Sequence, residues 1–141
     1  MIVDASIWVA SILDSDRHHS ASAAFVRRLI ELRQPASVPA LVWPEISGAV
    51  ARRTGDSERG IKLARFLAAQ NWITSFPLDS TLARESMRIA AGQRMRGADA
   101  VYIALAATRG EPLITVDAEM LERAPAKVER LSPADWLQKN S

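Results

Sequence analysis

Met1-Ile2-Val3-Asp4-Ala5-Ser6 and Leu113-Ile114-Thr115-Val116-Asp117 are the stretches whose reading decides the fold. Each is a short apolar run that ends in an aspartate. Runs of this kind, bounded by helix-forming sequence, fit strands buried on both faces, as in a parallel sheet covered by helices on each side. In open sheets of that type ligands bind beyond the carboxyl ends of the strands. Asp4 and Asp117 would therefore lie at one sheet edge, and could share a ligand if their strands are neighbours.

Working outward, helices and short strands alternate. After Asp4 and Ser6, both good N-cap types, Ile7 to Leu13 can form a helix. Ala21, Phe25, Leu29 and Leu32 recur at helical spacing between Ser20 and Arg33, and Pro35 ends that helix. Ala36 to Val38 reads as a second strand, and Pro44 fits the first turn of a helix that reaches Arg53 and stops near Gly55. Asp56 or Ser57 would cap the next helix, with an apolar line of Ile61, Ala64, Ala68 and Trp72. Ile73 to Phe76 is a strand, and Asp79-Ser80-Thr81 caps a helix reaching about Ala91. Ala98 to Ala107 is apolar nearly all round apart from Asp99, which predicts a core helix. Leu113 to Val116 is a buried strand, followed by Asp117 and a short helix through Arg123. Val128 to Leu131 makes a last strand, and Ser132-Pro133-Ala134-Asp135 opens a terminal helix with a capping box. With no repeat, composition break or low-complexity segment, the expectation is one domain over residues 1–141: an α/β fold, a three-layer α/β/α sandwich around a mostly parallel sheet.

Composition narrows the chemistry. At 141 residues and 48% hydrophobic, the chain can bury one useful core. No apolar run spans a membrane, and no basic segment precedes Asp4 as a secretory signal would require, which predicts a soluble, cytoplasmic protein. The absence of cysteine removes disulfides, Cys-based zinc sites and thiol nucleophiles. The two histidines, His18 and His19, are adjacent, so a His triad or His-rich metal site is hard to assemble. The net charge is only +2, and the basic residues are mostly arginine, a residue suited to bidentate phosphate recognition but also one that genome composition can favour.

The acids carry the functional signal. Asp99 is the lone charge in an apolar helix, which is costly unless it faces a cation, a donor cluster or a cleft. Glu45 opens another helix and can point the same way. Each has a plainer reading: Asp4 and Ser6 as helix caps, Asp99 and Glu45 as first-turn acids complementing a helix dipole, Asp117 as the start of a surface turn. Converging carboxylates raise each other's pKa and repel unless neutralised. Without His or Cys, an all-oxygen set selects a hard cation, Mg²⁺ or Mn²⁺, suited to phosphodiester hydrolysis.

Ile2-Val3-Asp4-Ala5-Ser6, Trp43-Pro44-Glu45-Ile46, Gly97-Ala98-Asp99-Ala100 and Leu113-Ile114-Thr115-Val116-Asp117 with Leu121 resemble, in order and spacing, the motifs of PIN-domain nucleases. A free-standing chain of this size is similar to the VapC-type toxins of toxin–antitoxin pairs. The resemblance implies a Mg²⁺-dependent endoribonuclease, a homodimer, and a small antitoxin partner. It makes Asp4 and Asp99 the principal metal ligands, with Asp117 and Glu45 completing the pocket directly or through water. Ser6 would orient Asp4 or a water. Glu119, two residues beyond Asp117, could share its role, and Pro44 could alter how Glu45 enters the pocket. The implied reaction is in-line attack of activated water on RNA, leaving a 5′-phosphate and a 3′-hydroxyl, with Arg94 and Arg96 as candidates for holding the backbone. Two rivals stay open: a PIN-like module that binds RNA or protein without cutting, and a haloacid-dehalogenase-type phosphatase. The latter needs a second aspartate where this chain has Ser6. Trp8, Trp43 and Trp72 are either core residues or partner-facing ones.

Overall fold

The computed structural model describes residues 1–141. Its strands are β1 (Ile2–Val3), β2 (Ala36–Pro39), β3 (Ile73–Phe76), β4 (Leu113–Ile114) and β5 (Arg130–Leu131). Between β1 and β2 lie α1 (Ala5–Ile12) and α2 (His19–Glu31), and between β2 and β3 lie α3 (Val42–Thr54) and α4 (Ser57–Ala68). Helices α5 (Ser80–Gln93) and α6 (Gly97–Arg109) precede β4, α7 (Ala118–Arg123) precedes β5, and α8 (Pro133–Lys139) follows it.

All pairings are parallel, in the order β3-β2-β1-β4-β5. The chain steps outward from β1 to β2 to β3, then returns across the sheet to β4 and continues to β5. Right-handed crossovers therefore put α1 to α4 on one face and α5 to α7 on the other. Packing agrees: α1 meets α2 and α3, α3 meets α4, and α8 returns to α2, whereas α5 pairs with α6. The expected α/β/α sandwich is the fold. Its switch point, where consecutive crossovers leave in opposite directions, falls between β1 and β4, whose register pairs Ile2 with Leu113 and Val3 with Ile114.

One core of 33 buried residues joins both layers through the sheet. In α6 every residue from Ala100 to Ala106 is buried, as the near-uniform apolar sequence requires, and the helix lies against β1, β2 and β4. Asp56 and Asp79 cap α4 and α5 by accepting from the Arg59 and Leu82 amides, and Ser132 with Asp135 forms the capping box of α8.

Several expectations shift. The strand expected over Leu113 to Val116 covers only Leu113–Ile114; the Thr115 amide still donates to the Leu131 carbonyl, and Asp117 then starts α7. The last strand covers only Arg130–Leu131 of the expected Val128 to Leu131. Leu32 is exposed, since α2 ends at Glu31 and Arg33 takes a left-handed backbone. The buried stripe of α4 is Gly60, Ala64 and Leu67, not the line through Ile61 and Ala68, both of which are exposed. The cause is close packing on α3: a Cβ on Gly60 would run into the Ser47 carbonyl, so α4 presents its smallest residues there. Trp72 lies beyond α4 and packs on buried Trp8, ring centroids 5.9 Å apart. Trp43, half-buried, donates its indole N–H to Ser75.

Candidate active site

Main-chain pairing between β1 and β4 brings Asp4 and Thr115 side by side, with the Asp4 amide donating to the Ile114 carbonyl at 3.0 Å. Asp4 occupies the N-cap position of α1, yet its side chain caps nothing. It is 5% exposed and instead accepts from two hydroxyls, Ser6 Oγ at 2.5 Å and Thr115 Oγ1 at 2.8 Å. The plain helix-cap reading of Asp4 and Ser6 is thus not what the chain does. Burial pushes the Asp4 carboxyl above the usual aspartate range, the two hydroxyls pull it back, and Asp99 and Asp117 raise it further.

Asp117 does cap α7, accepting from the Met120 amide at 2.9 Å, while its own amide donates to Thr115 Oγ1 at 3.0 Å. Its second carboxylate oxygen lies 3.5 Å from Arg96 Nη2. The same guanidinium donates to Asp99 through Nε at 3.0 Å. Asp99, half-buried in the first turn of α6, has its pKa raised by burial and lowered by Arg96. Asp99 above all, with Asp117, holds Arg96 firmly protonated.

Glu45 enters from the first turn of α3, one residue after Pro44. The buried Tyr102 hydroxyl, one turn beyond Asp99 on α6, donates to its Oε1 at 3.0 Å. Burial pushes the Glu45 carboxyl up to about 7, with Asp4 and Asp99 adding to the rise and Tyr102 opposing it.

The four carboxylates meet at the switch point but do not form a closed ring. Asp99 and Asp117 face Arg96, Asp4 faces the two hydroxyls, and Glu45 faces Tyr102; no three acids stand in a ready ion-binding cage. One cation already lies within 3.5 Å of two of them, and the coupling of Asp4 and Glu45 to Asp99 shows that all share one field. An oxygen-only set with excess negative charge fits a hard divalent ion in place of the guanidinium. Glu119 pairs with Arg123 at 2.7 Å and acts on Asp99 and Arg96 only through its charge. Arg94 closes α5 in a left-handed conformation and its carbonyl accepts from Arg123, so of the two arginines only Arg96 reaches the acids.

Sequence reading missed Thr115 and Tyr102. Thr115 is the one polar residue in a buried strand segment and Tyr102 the only tyrosine, set in an all-apolar helix. Buried hydroxyls need partners, and both find one among the acids.

The acids thus gather at the switch point of an open parallel α/β sheet, the place where such sheets bind their ligands. Residues 1–127 match the profile of the PIN domain family, and the chain belongs to that family. Among solved structures, the chain is similar in fold to Mycobacterium tuberculosis VapC20, a sarcin-ricin loop cleaving toxin, at 18% identity and TM-score 0.73, covering 91% of this chain and 98% of that one. DNA-bound VapBC from Salmonella typhimurium aligns at 14% identity and TM-score 0.71 over 94% and 96% of the two chains. PAE2754 from Pyrobaculum aerophilum aligns at 20% identity and TM-score 0.70 over 98% and 86%. No curated protein sequence matches. No helix is long and apolar enough to cross a membrane.

Proposed function

We propose that this chain is a Mg²⁺-dependent endoribonuclease, with Mn²⁺ as a substitute ion, acting as the toxin of a toxin–antitoxin pair. The observation that carries the reading is the sharing of one cation by Asp99 and Asp117, beside buried Asp4, at the switch point of a PIN domain. The similar folds include a sarcin-ricin loop cleaving toxin and a toxin–antitoxin complex, which supports RNA as substrate and a small antitoxin protein as partner. The chain acts in the cytoplasm as a homodimer of single domains spanning residues 1–141.

Asp4 and Asp99 are the principal metal ligands, with Asp117 and Glu45 completing the pocket. The bound ion supplies charge neutralisation for the scissile phosphate and a more acidic water. Ser6 and Thr115 fix the rotamer of Asp4, so one carboxylate oxygen is occupied by hydroxyls and the other is directed by them. Tyr102 does the same for Glu45. Arg96, which pairs with Asp99 and Asp117 here, would have to give up those contacts for an ion to be held there and could then hold a phosphate oxygen.

The test is cleavage of single-stranded RNA by the purified chain in Mg²⁺ or Mn²⁺, compared with Asp99→Asn. Loss of cleavage in a folded Asp99→Asn variant is expected. Undiminished cleavage in that variant would refute the site assignment, and RNA binding without products in either metal would move the chain to the non-cleaving reading.

A further inference from the structure

A cavity of about 490 Å³ opens between α1 and α3, with Ser6 and Glu45 at one end and Arg52 and Arg53 at the other. One face of α3 lines its length. Glu45, Ala49, Arg52 and Arg53 stand at positions i, i+4, i+7 and i+8, which one helix face brings into line. Seven residues of helix separate the acid from Arg52 by about 10 Å.

The two arginines are not equivalent. Arg53 is committed to Asp16 on the α1–α2 connection, at 2.6 Å. Arg52 has no carboxylate within ion-pairing distance. Nor does it turn forward to the carbonyls that end α3, the usual service of a last-turn arginine. Its guanidinium folds back one turn instead and lies over Gly48, where a Cβ would stand 3.2 Å from Nη1. The side chain is thereby directed along the helix toward the Glu45 end. Between the charged ends the wall is small and apolar, formed by Val9, Ala49 and the Pro44 ring.

A polyanion crossing four carboxylates needs cations on both sides of them. Arg96 stands on the α6 and α7 side. Arg52 is the free cation on the opposite, α3 side. We infer that the α1–α3 cavity is a substrate subsite, in which Arg52 takes a backbone phosphate of a single-stranded ribonucleotide chain flanking the scissile bond while Val9, Ala49 and Pro44 receive the adjoining sugar or base. This rests on the ribonuclease reading above and adds the path of the strand across the molecule.

The test uses a fluorescein-labelled single-stranded RNA oligonucleotide of mixed sequence, followed by anisotropy in EDTA over a range of salt concentrations. Arg52→Ala is expected to bind about fivefold or more weakly, and to lower the slope of log K against log salt by about 0.7, the amount for one lost single-strand phosphate contact. Arg52→Lys keeps most of the slope. Arg88→Ala, at an exposed α5 arginine that lines no part of the cavity, leaves the slope unchanged and serves as the control for a general change in charge. In Mg²⁺, Arg52→Ala lowers kcat/KM on the oligonucleotide but leaves cleavage of a dinucleotide, which has only the scissile phosphate, at the wild-type rate. Equal affinity and slope for Arg52→Ala and wild type, with wild type still cleaving, would overturn this inference alone. A wild-type chain that neither binds nor cuts RNA would overturn both readings. An unchanged RNA slope together with weakened binding of an acidic peptide would assign the cavity to a protein partner and overturn the inference.

Discussion

Thr115→Val is the most searching test of how the site is held. Valine keeps the shape and removes only the hydroxyl, which donates to Asp4 at 2.8 Å and accepts from the Asp117 amide at 3.0 Å. Asp4 is buried and keeps a single donor, Ser6, after the change. A hydrogen bond to a charged buried group contributes about 1.5–3 kcal/mol. In the metal-free protein much of that loss is avoided, because the carboxyl, already raised by burial, can take up a proton. The Asp117 amide lies near the sheet edge, where water can replace the lost acceptor. A folding cost of about 1–2 kcal/mol follows, a drop in melting temperature of about 3–8 °C. The metal cannot avoid the loss, since it needs Asp4 ionised and correctly turned. Removing an outer partner of a metal ligand weakens binding about 10–100-fold. Calorimetric titration with Mn²⁺, without RNA, measures this directly, and Thr115→Ser should recover most of it. A folded Thr115→Val that binds Mn²⁺ as tightly as wild type would show that the hydroxyl does not position Asp4.

Glu45 titrates near pH 7 in the folded chain against an ordinary value of 4.5, so the folded state binds its proton more readily than the unfolded state. Its contribution to the stability of the metal-free chain is therefore complete below pH 4.5 and lost as pH rises through about 7. Asp4 and Asp99 are shifted in the same direction. Mg²⁺ must displace these protons, so the rise in melting temperature on adding it should grow steadily up to about pH 7; an increment independent of pH would contradict this. Tyr102→Phe removes the donor to Glu45 and should move that metal-binding transition upward by up to about one pH unit, with an unchanged midpoint counting against it. Gly60→Ala drives a methyl into the Ser47 carbonyl and should cost about 1–3 kcal/mol by denaturant titration. Gly92→Ala, where α5 leaves open space, should be neutral or stabilising by about 0.5–1 kcal/mol.

The strands and the core helix α6 were legible because burial on all sides leaves an unbroken apolar signature. Asp4, Asp99 and Asp117 were legible for the complementary reason, as charges where that signature should continue. The orientation of α4 was not, because Gly60 carries no hydrophobic signal, although its missing side chain is what brings the helix close to α3. Thr115 and Tyr102 were passed over because each also fits a bland role, a β-branched strand residue and a core aromatic. Their meaning lies in partners 111 and 57 residues away in sequence. Sequence alone makes Arg94 and Arg96 equal candidates for the RNA backbone; that only Arg96 pairs with Asp99 and Asp117 depends on how the turn between α5 and α6 folds.

The pairing of β1 with β4 has a further bearing on how freely this chain can vary. Asp4 and Thr115 hang from adjacent strands, about 4.8 Å apart, joined by bonds between peptide groups. That spacing is set by backbone atoms common to every amino acid, so it is blind to the identity of the packing residues around it. The apolar residues around these two strands can be exchanged, provided volume and pattern are kept, without moving Asp4 relative to Thr115, whereas Glu45 and Asp99 ride on α3 and α6 and shift with the packing of those helices. The same fold is accordingly kept at 14% identity to a structural neighbour.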